Sequence, residues 1–274
     1  MTQAEADTAG GVIDQFRLTD RVAVITGAGK GIGAAIAVAM AEAGADVAIT
    51  ARTASDLEAV AEEIQKRGRR ALVFPADVND LSVLPRFLEA AVDELGAVDI
   101  VVNNAGGSQS YPLLDTRVEN LEASFHFNVS VTFELSRLAV PLLLARGGGS
   151  IINISSVAGS KTTRGGLVHG TTKAAVTHMT KMMAADLAPR IRVNAVLPGA
   201  IETDALRRFL GAMDPGVRTT MIERTAMRRN GEPSDIASAA VYLASPAASW
   251  VTGKLLEVDG GASADLIPKS IPDL

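Results

Sequence analysis

Thr26-Gly27-Ala28-Gly29-Lys30-Gly31-Ile32-Gly33 is the stretch that decides the fold. An apolar run, Arg21–Thr26, leads into it, and an alanine-rich helical pattern, Ile32–Ala43, follows. Glycines at a strand-to-helix turn let the backbone bend sharply and approach a pyrophosphate, while the helix N-terminus offers free N–H groups and partial positive charge. Gly33 then permits close helix–strand contact. The strand–turn–helix order lifts this above an ordinary glycine loop.

Further apolar or β-branched runs follow at Asp46–Thr50, Ala71–Phe74, Asp99–Val102, Ser150–Ile154, Arg192–Ala195 and Leu255–Val258. Between them Ser55–Arg67, Leu81–Leu95, Val118–Ala145, Thr171–Leu187 and Pro233–Ala244 are long enough for helices. Strict alternation predicts an α/β fold, a single Rossmann-like, doubly wound parallel sheet of about seven strands with helices on both faces. The strands are continuously apolar, as coverage of both faces requires. Residues 1–15 read as a flexible tail, 16–265 as one domain with a lid segment at 204–230, and 266–274, with Pro268 and Pro272, as a second tail.

Of the 274 residues, 47% are hydrophobic and 21% charged, which excludes general disorder. The absence of cysteine excludes disulfides and thiolate metal sites, and three scattered histidines give no metal-ligand spacing. A net charge of −5 argues against a general nucleic-acid surface. The polar N-terminus is unlike a signal peptide, and no uninterrupted apolar run reaches the ~18 residues of a membrane span. The expectation is a cytoplasmic protein with neither nucleic acid nor membrane as partner.

A carboxylate ending the second strand would bind the ribose 2′-OH of NAD. That place reads Thr50-Ala51-Arg52-Thr53. The guanidinium of Arg52 suits a 2′-phosphate instead, and Lys30 would add a second cation to it. The expected cofactor is NADP(H).

These residues, with Asp77-Val78, NNAG at 103–106, Asn128, NISS at 153–156, Lys173, and Pro198-Gly199 with Thr203, resemble the short-chain dehydrogenase/reductase family from about Phe16 to Gly261. PGAIETDAL at 198–206 and SPAASWVTG at 245–253 are similar to its 7α-hydroxysteroid dehydrogenase-like bacterial reductases. The resemblance implies that Asp77 and Val78 border the adenine and that Asn103, Ala105 and Gly106 line the cofactor cleft. It also implies that Pro198, Gly199 and Thr203 hold the nicotinamide end.

Family members act through an Asn–Ser–Tyr–Lys set with Tyr-x-x-x-Lys spacing. Asn128, Ser156 and Lys173 match, but His169 stands four residues before Lys173. The chain's two tyrosines, Tyr111 and Tyr242, do not precede a lysine at that spacing. The resemblance gives Asn128 a helix kink and a water leading to Lys173, and gives Lys173 the cofactor ribose. Ser156 and Asn128 would polarise the substrate, with His169 in the acid/base slot. Hydride transfer to a carbonyl carbon needs a proton at its oxygen. On one helical face, His169 and Lys173 can meet at i and i+4. Beside a lysine cation the imidazole should titrate below its ~6.5 reference and stay neutral, a poor proton donor. Its donor atom also sits roughly 2 Å short of a tyrosine's, where 1 Å can cost ~10²-fold, unless a water bridges the gap. Cofactor binding should persist while carbonyl reduction is impaired. The residue is compatible with a substitution in an otherwise active enzyme, with a His–water acid, or with a silent cofactor-binding relative acting by interaction. Tyr111, in the loop after NNAG, is a candidate substitute acid, part of the substrate wall or a plain surface aromatic.

Residues Asp204–Asn230 mix Leu206, Phe209, Leu210, Met213, Met221, Ile222 and Met227 with charged residues, as a lid over a bulky apolar alcohol or ketone would. Helix 118–145 is apolar nearly all round, and 171–187 carries small and Met residues, so each needs a second partner besides the sheet. The resemblance implies a homotetramer. Trp250 is expected to pack near the last strand.

Overall fold

Val22–Thr26 (β1) is buried along its length, and its side chains alternate between two cores as a strand's two-residue period requires. Ala23 and Ile25 face a core completed by Ile36, Met40, Leu57, Ile64, Ile236 and Leu243. Val22 and Val24 face another, built with Leu84, Phe87, Leu135 and Leu143. The computed structural model describes residues 11–211 and 216–263.

Asp46–Ala51 (β2), Ala71–Pro75 (β3), Ile100–Asn103 (β4), Gly149–Ile154 (β5), Ile191–Pro198 (β6) and Leu255–Val258 (β7) complete one parallel seven-stranded sheet. Its order is β3-β2-β1-β4-β5-β6-β7. The chain winds outward to β3, then returns to place β4 on the other side of β1. A crevice therefore opens between β1 and β4, at the carboxyl ends of the strands.

The helices are Gly31–Glu42 (α1), Ala54–Gln65 (α2), Val83–Leu95 (α3), Val118–Phe125 (α4), Val131–Ala145 (α5), Leu167–Leu187 (α6), Asp204–Gly211 (α7), Gly216–Glu223 (α8) and Pro233–Ala244 (α9). Helices α1, α2 and α9 supply the first core, while α3, α5 and α6 cover the other face.

Four expectations are corrected. The single helix expected at 118–145 is interrupted by a π-helical turn, His126–Ser130. The helix expected from Thr171 begins at Leu167. Residues 12–15, read as part of a flexible tail, form a 3-10 turn with Phe16, whose ring lies 6.0 Å from that of Tyr242. Trp250 does not pack on the last strand but is 99% exposed. The run 118–145 contains a stretch long and apolar enough for a membrane span, yet Leu135, Ala139 and Leu143 pack that stretch against the sheet. The tail expected at 266–274 and the lid's Met213 lie outside the described residues.

Candidate active site

Gly27 and Gly31 adopt φ of +65° and +58°, the left-handed region open to glycine. A Cβ on Gly33 would stand 2.3 Å from the Gly27 carbonyl oxygen, so the turn folds back on its own helix. Lys30 places no side-chain cap on α1, and the first turn holds no acid. The helix thus keeps its first-turn donors, beside Gly29 and Ile32, without a side-chain cap. Thr26 joins the turn to β4, its Oγ1 accepting from the backbone N–H groups of Asn104 (3.1 Å) and Ala105 (3.0 Å).

Asn104 was given no role by sequence reasoning, although it stands inside NNAG. Its Nδ2 donates to the carbonyls of Thr26 and Gly27, both at 3.0 Å, and fixes the shape of the glycine turn. The side chain of Asn103 does not point into the cleft that the resemblance has this residue line, which leaves its backbone to do so. Its side-chain amide turns inward from the end of β4 and donates to Ser136 and Asn153, each at 2.9 Å.

At the far end of the crevice Arg52 is exposed and makes no hydrogen bond or ion pair among the described residues. Lys30, expected beside it as a second free cation, pairs with Asp56 at 3.1 Å. Asp77 is exposed, its carboxylate accepting from the backbone and side chain of Asn79, while Val78 is buried in the second core.

Because α6 starts at Leu167, His169 and Lys173 lie one helical turn apart on it. Lys173 is 6% exposed, and its ammonium donates to the Ile154 carbonyl at 3.0 Å. Burial pulls its pKa down to about 8. Asn128, in the π-helical turn, accepts from Gly107 N–H (2.9 Å) and donates to the carbonyls of Gly107 (3.0 Å) and Ser124 (2.8 Å). A Cβ on Gly106 would meet Asn128 Oδ1 at 2.7 Å and Lys173 Nζ at 3.0 Å, so both polar atoms converge on that glycine.

Ser156 Oγ accepts from Ala158 N–H at 3.1 Å and caps a 3-10 turn, Val157–Gly159. That turn is pressed onto α6. A Cβ on Gly159 would touch Ala174 N at 2.9 Å, and one on Gly170 would touch the Ala158 carbonyl at 2.9 Å. The ring of His169 is half-buried, with a buried Nδ1 that has no partner among the described residues. Its pKa falls to about 4, first through burial and second through the Lys173 charge. The expected direction holds, but its larger cause is desolvation.

Pro198 ends β6, and Gly199 donates to the Val258 carbonyl at 3.0 Å. Thr203 accepts from Leu206 N–H at 3.2 Å at the start of α7. Its methyl group lies against Gly31, whose Cβ would be 3.1 Å away, so the root of the expected lid rests on the glycine turn. Leu206, Phe209 and Leu210 are half-buried, and Val217 and Met221 are buried. Tyr111 donates to Gln109 and lines a cavity of about 480 Å³ with Gly107, Ser124 and Val168. No cluster of three or more His, Cys, Asp or Glu residues able to hold a metal occurs among the described residues.

An open parallel sheet with this turn at its reversal point defines a Rossmann-like fold. The chain belongs to the short-chain dehydrogenase/reductase family: residues 27–263 match the family described as enoyl-(acyl carrier protein) reductase. An uncharacterized oxidoreductase of Mycobacterium tuberculosis (strain CDC 1551 / Oshkosh) is 51% identical over 264 residues, 96% of this chain and 100% of the relative. The 7α-hydroxysteroid dehydrogenase of Escherichia coli (strain K12) is 40% identical over 92% of this chain and 98% of its own. A solved 7α-hydroxysteroid dehydrogenase complexed with NADH and 7-oxo glycochenodeoxycholic acid superposes with a TM-score of 0.88 at 40% identity, covering 93% of this chain and 98% of that one. The chain is a hydroxysteroid dehydrogenase-like oxidoreductase.

Proposed function

We propose that the chain interconverts a secondary alcohol and a ketone on a bulky apolar substrate with NADP(H), at a rate lowered by His169 in the acid/base position. The observation that carries this reading is the placement of His169 and Lys173 one turn apart on α6, against the clamped Ser156 loop.

The residues fit a nicotinamide dinucleotide. Lys173 uses one of its three donors on Ile154, leaving a desolvated ammonium for sugar hydroxyls, and the uncapped α1 N-terminus suits a pyrophosphate. Gly27, Gly29, Gly31 and Gly33 bring the backbone close, and Arg52 offers an unpaired guanidinium to a 2′-phosphate. Because Lys30 is paired with Asp56, this preference rests on Arg52 alone. The bound cofactor supplies or accepts a hydride at its nicotinamide.

Ser156 Oγ and Asn128 orient the carbonyl and its water, and His169 exchanges the proton at the carbonyl oxygen. With a pKa of about 4, roughly one imidazole in a thousand is cationic at pH 7. The neutral ring donates a hydrogen bond but gives up its proton poorly, so it polarises the ketone more than it protonates it. The bile-acid ketone bound by the 40% identical relative supports a bulky substrate under α7 and α8. The exposed Phe125, Phe133, Leu144 and Met182 support a homotetramer through α4–α6.

The test is NADPH oxidation with a panel of bulky ketones, for the native chain and His169→Tyr together. A gain of orders of magnitude in the variant supports an intact site slowed by one residue. Equal, substantial rates refute the impairment and make His169 with water a working acid. The neutral ring also favours a second reading, cofactor binding without turnover. Tight NADPH binding with no turnover in either protein supports that one.

A further inference from the structure

At the end of the sheet opposite the crevice lies a second cavity of about 310 Å³, bounded by the amino ends of β1, β5 and β6, the residue before β4, and the loop after α9. Four arginines line it, Arg21, Arg146, Arg190 and Arg192, with Asp99 as the single carboxylate. In a chain of net charge −5 this is a local reversal of sign.

The one carboxylate is fully committed. Asp99 is 2% exposed, and one of its oxygens is shared by Arg21 (3.0 Å) and Arg146 (3.1 Å) while the other accepts from Val22 N–H (2.9 Å). Among the described residues Arg192 pairs with no carboxylate. It is half-buried and donates to three neutral carbonyls that end α9, those of Leu243 (2.7 Å), Ala244 and Ser245 (both 3.2 Å). Arg190, at the rim, donates once, to the Gly147 carbonyl at a long 3.3 Å. The wall between them is glycine by necessity, since a Cβ on Gly148 would stand 2.1 Å from the Arg190 carbonyl oxygen. Donors and surplus charge therefore converge on a concave surface with one counter-charge.

We propose that this cavity is a second ligand site, separate from the cofactor crevice, and that it takes a small phosphate-class anion of two or more charges. Guanidinium forks match phosphate oxygens in pairs, and two or more negative charges offset most of the excess positive charge that four arginines keep beyond Asp99. Bound there, the anion ties the loop at 146–149 to β6 and to the end of α9. It thereby stabilises the folded chain without touching the crevice.

The probe is inorganic pyrophosphate, titrated calorimetrically at constant ionic strength, with the melting temperature followed alongside. Arg190→Gln leaves the Asp99 cluster intact, Arg146→Gln removes one of its members, and Arg52→Ala marks the crevice. The expected result is a saturable heat and a rising melting temperature in the native chain. Each cavity variant weakens binding about ten- to hundredfold, as the loss of one charge-assisted hydrogen bond predicts, and Arg52→Ala leaves it unchanged. Should Arg146→Gln fail to fold, Arg190→Gln alone decides. Absence of saturable binding overturns the proposal. So does saturable binding that Arg190→Gln spares, whether or not Arg52→Ala weakens it, since the anion would then sit elsewhere, as at the glycine turn of the cofactor crevice.

Discussion

Replacing His169 by glutamine should change the pH dependence of stability by an amount the structure fixes. The unfolded imidazole titrates near 6.5, whereas burial and the Lys173 charge hold the folded one at about 4. Between these values the unfolded chain takes up a proton that the folded chain refuses, so acidification favours unfolding. No penalty exists above pH 6.5. It grows by about 1.4 kcal/mol for each pH unit below that and levels off near pH 4, at about 3 kcal/mol in all. At pH 5 it amounts to about 2 kcal/mol. The assay is urea unfolding of the native chain and His169→Gln at pH 7 and pH 5, at one protein concentration. Groups such as Asp46 and Asp259, where burial raises the pKa but hydrogen bonds and basic neighbours lower it further, titrate alike in both proteins and cancel. The expected double difference is about 2 kcal/mol, the variant losing less stability on acidification. Equal losses would mean that the folded imidazole titrates normally and would refute the desolvation argument.

The other expectations are as follows. Arg52→Ala should weaken NADPH about ten- to hundredfold relative to NADH, read by cofactor fluorescence, and an unchanged ratio would remove the 2′-phosphate argument. Lys173→Met keeps the stem and deletes a buried ammonium, so stability of the cofactor-free chain at pH 7 should rise by about 1–2 kcal/mol in urea unfolding while cofactor affinity falls. Asn128→Ala strands both the N–H and the carbonyl of Gly107 and should cost about 2–3 kcal/mol by the same assay.

The alternation of apolar runs and helical patterns made the sheet and its winding legible, because burial on both faces leaves a signal that side-chain detail does not blur. Helix α6 was started too late for a specific reason. Gly170 resembles a breaker, yet it sits inside the helix because a side chain there would strike the Ala158 carbonyl. The break in 118–145 was hidden because a π-helical turn leaves the apolar pattern nearly unchanged. Asn103 and Asn104 share one motif, and the pleat of β4 sends the first inward to Ser136 and Asn153. The Lys30–Asp56 pair joins the glycine turn to α2 across 26 positions, a distance at which charge spacing carries no information. Trp250 misled in the usual way of aromatics, since a large apolar ring argues for burial without saying in which molecule.

The π-helical turn at His126–Ser130 makes part of the site depend on the count of residues rather than on their kind. Each residue turns a helix by about 100°, so one more or one fewer in this short segment rotates everything upstream against everything downstream. Asn128 reaches Gly107 while α5 keeps Leu135, Ala139 and Leu143 on the sheet because both phases are satisfied at once. Deleting Phe127, Val129 or Ser130 would force a choice between the two, even though no side chain with chemistry had been altered. Among related chains, length across this segment should therefore be held more tightly than its letters.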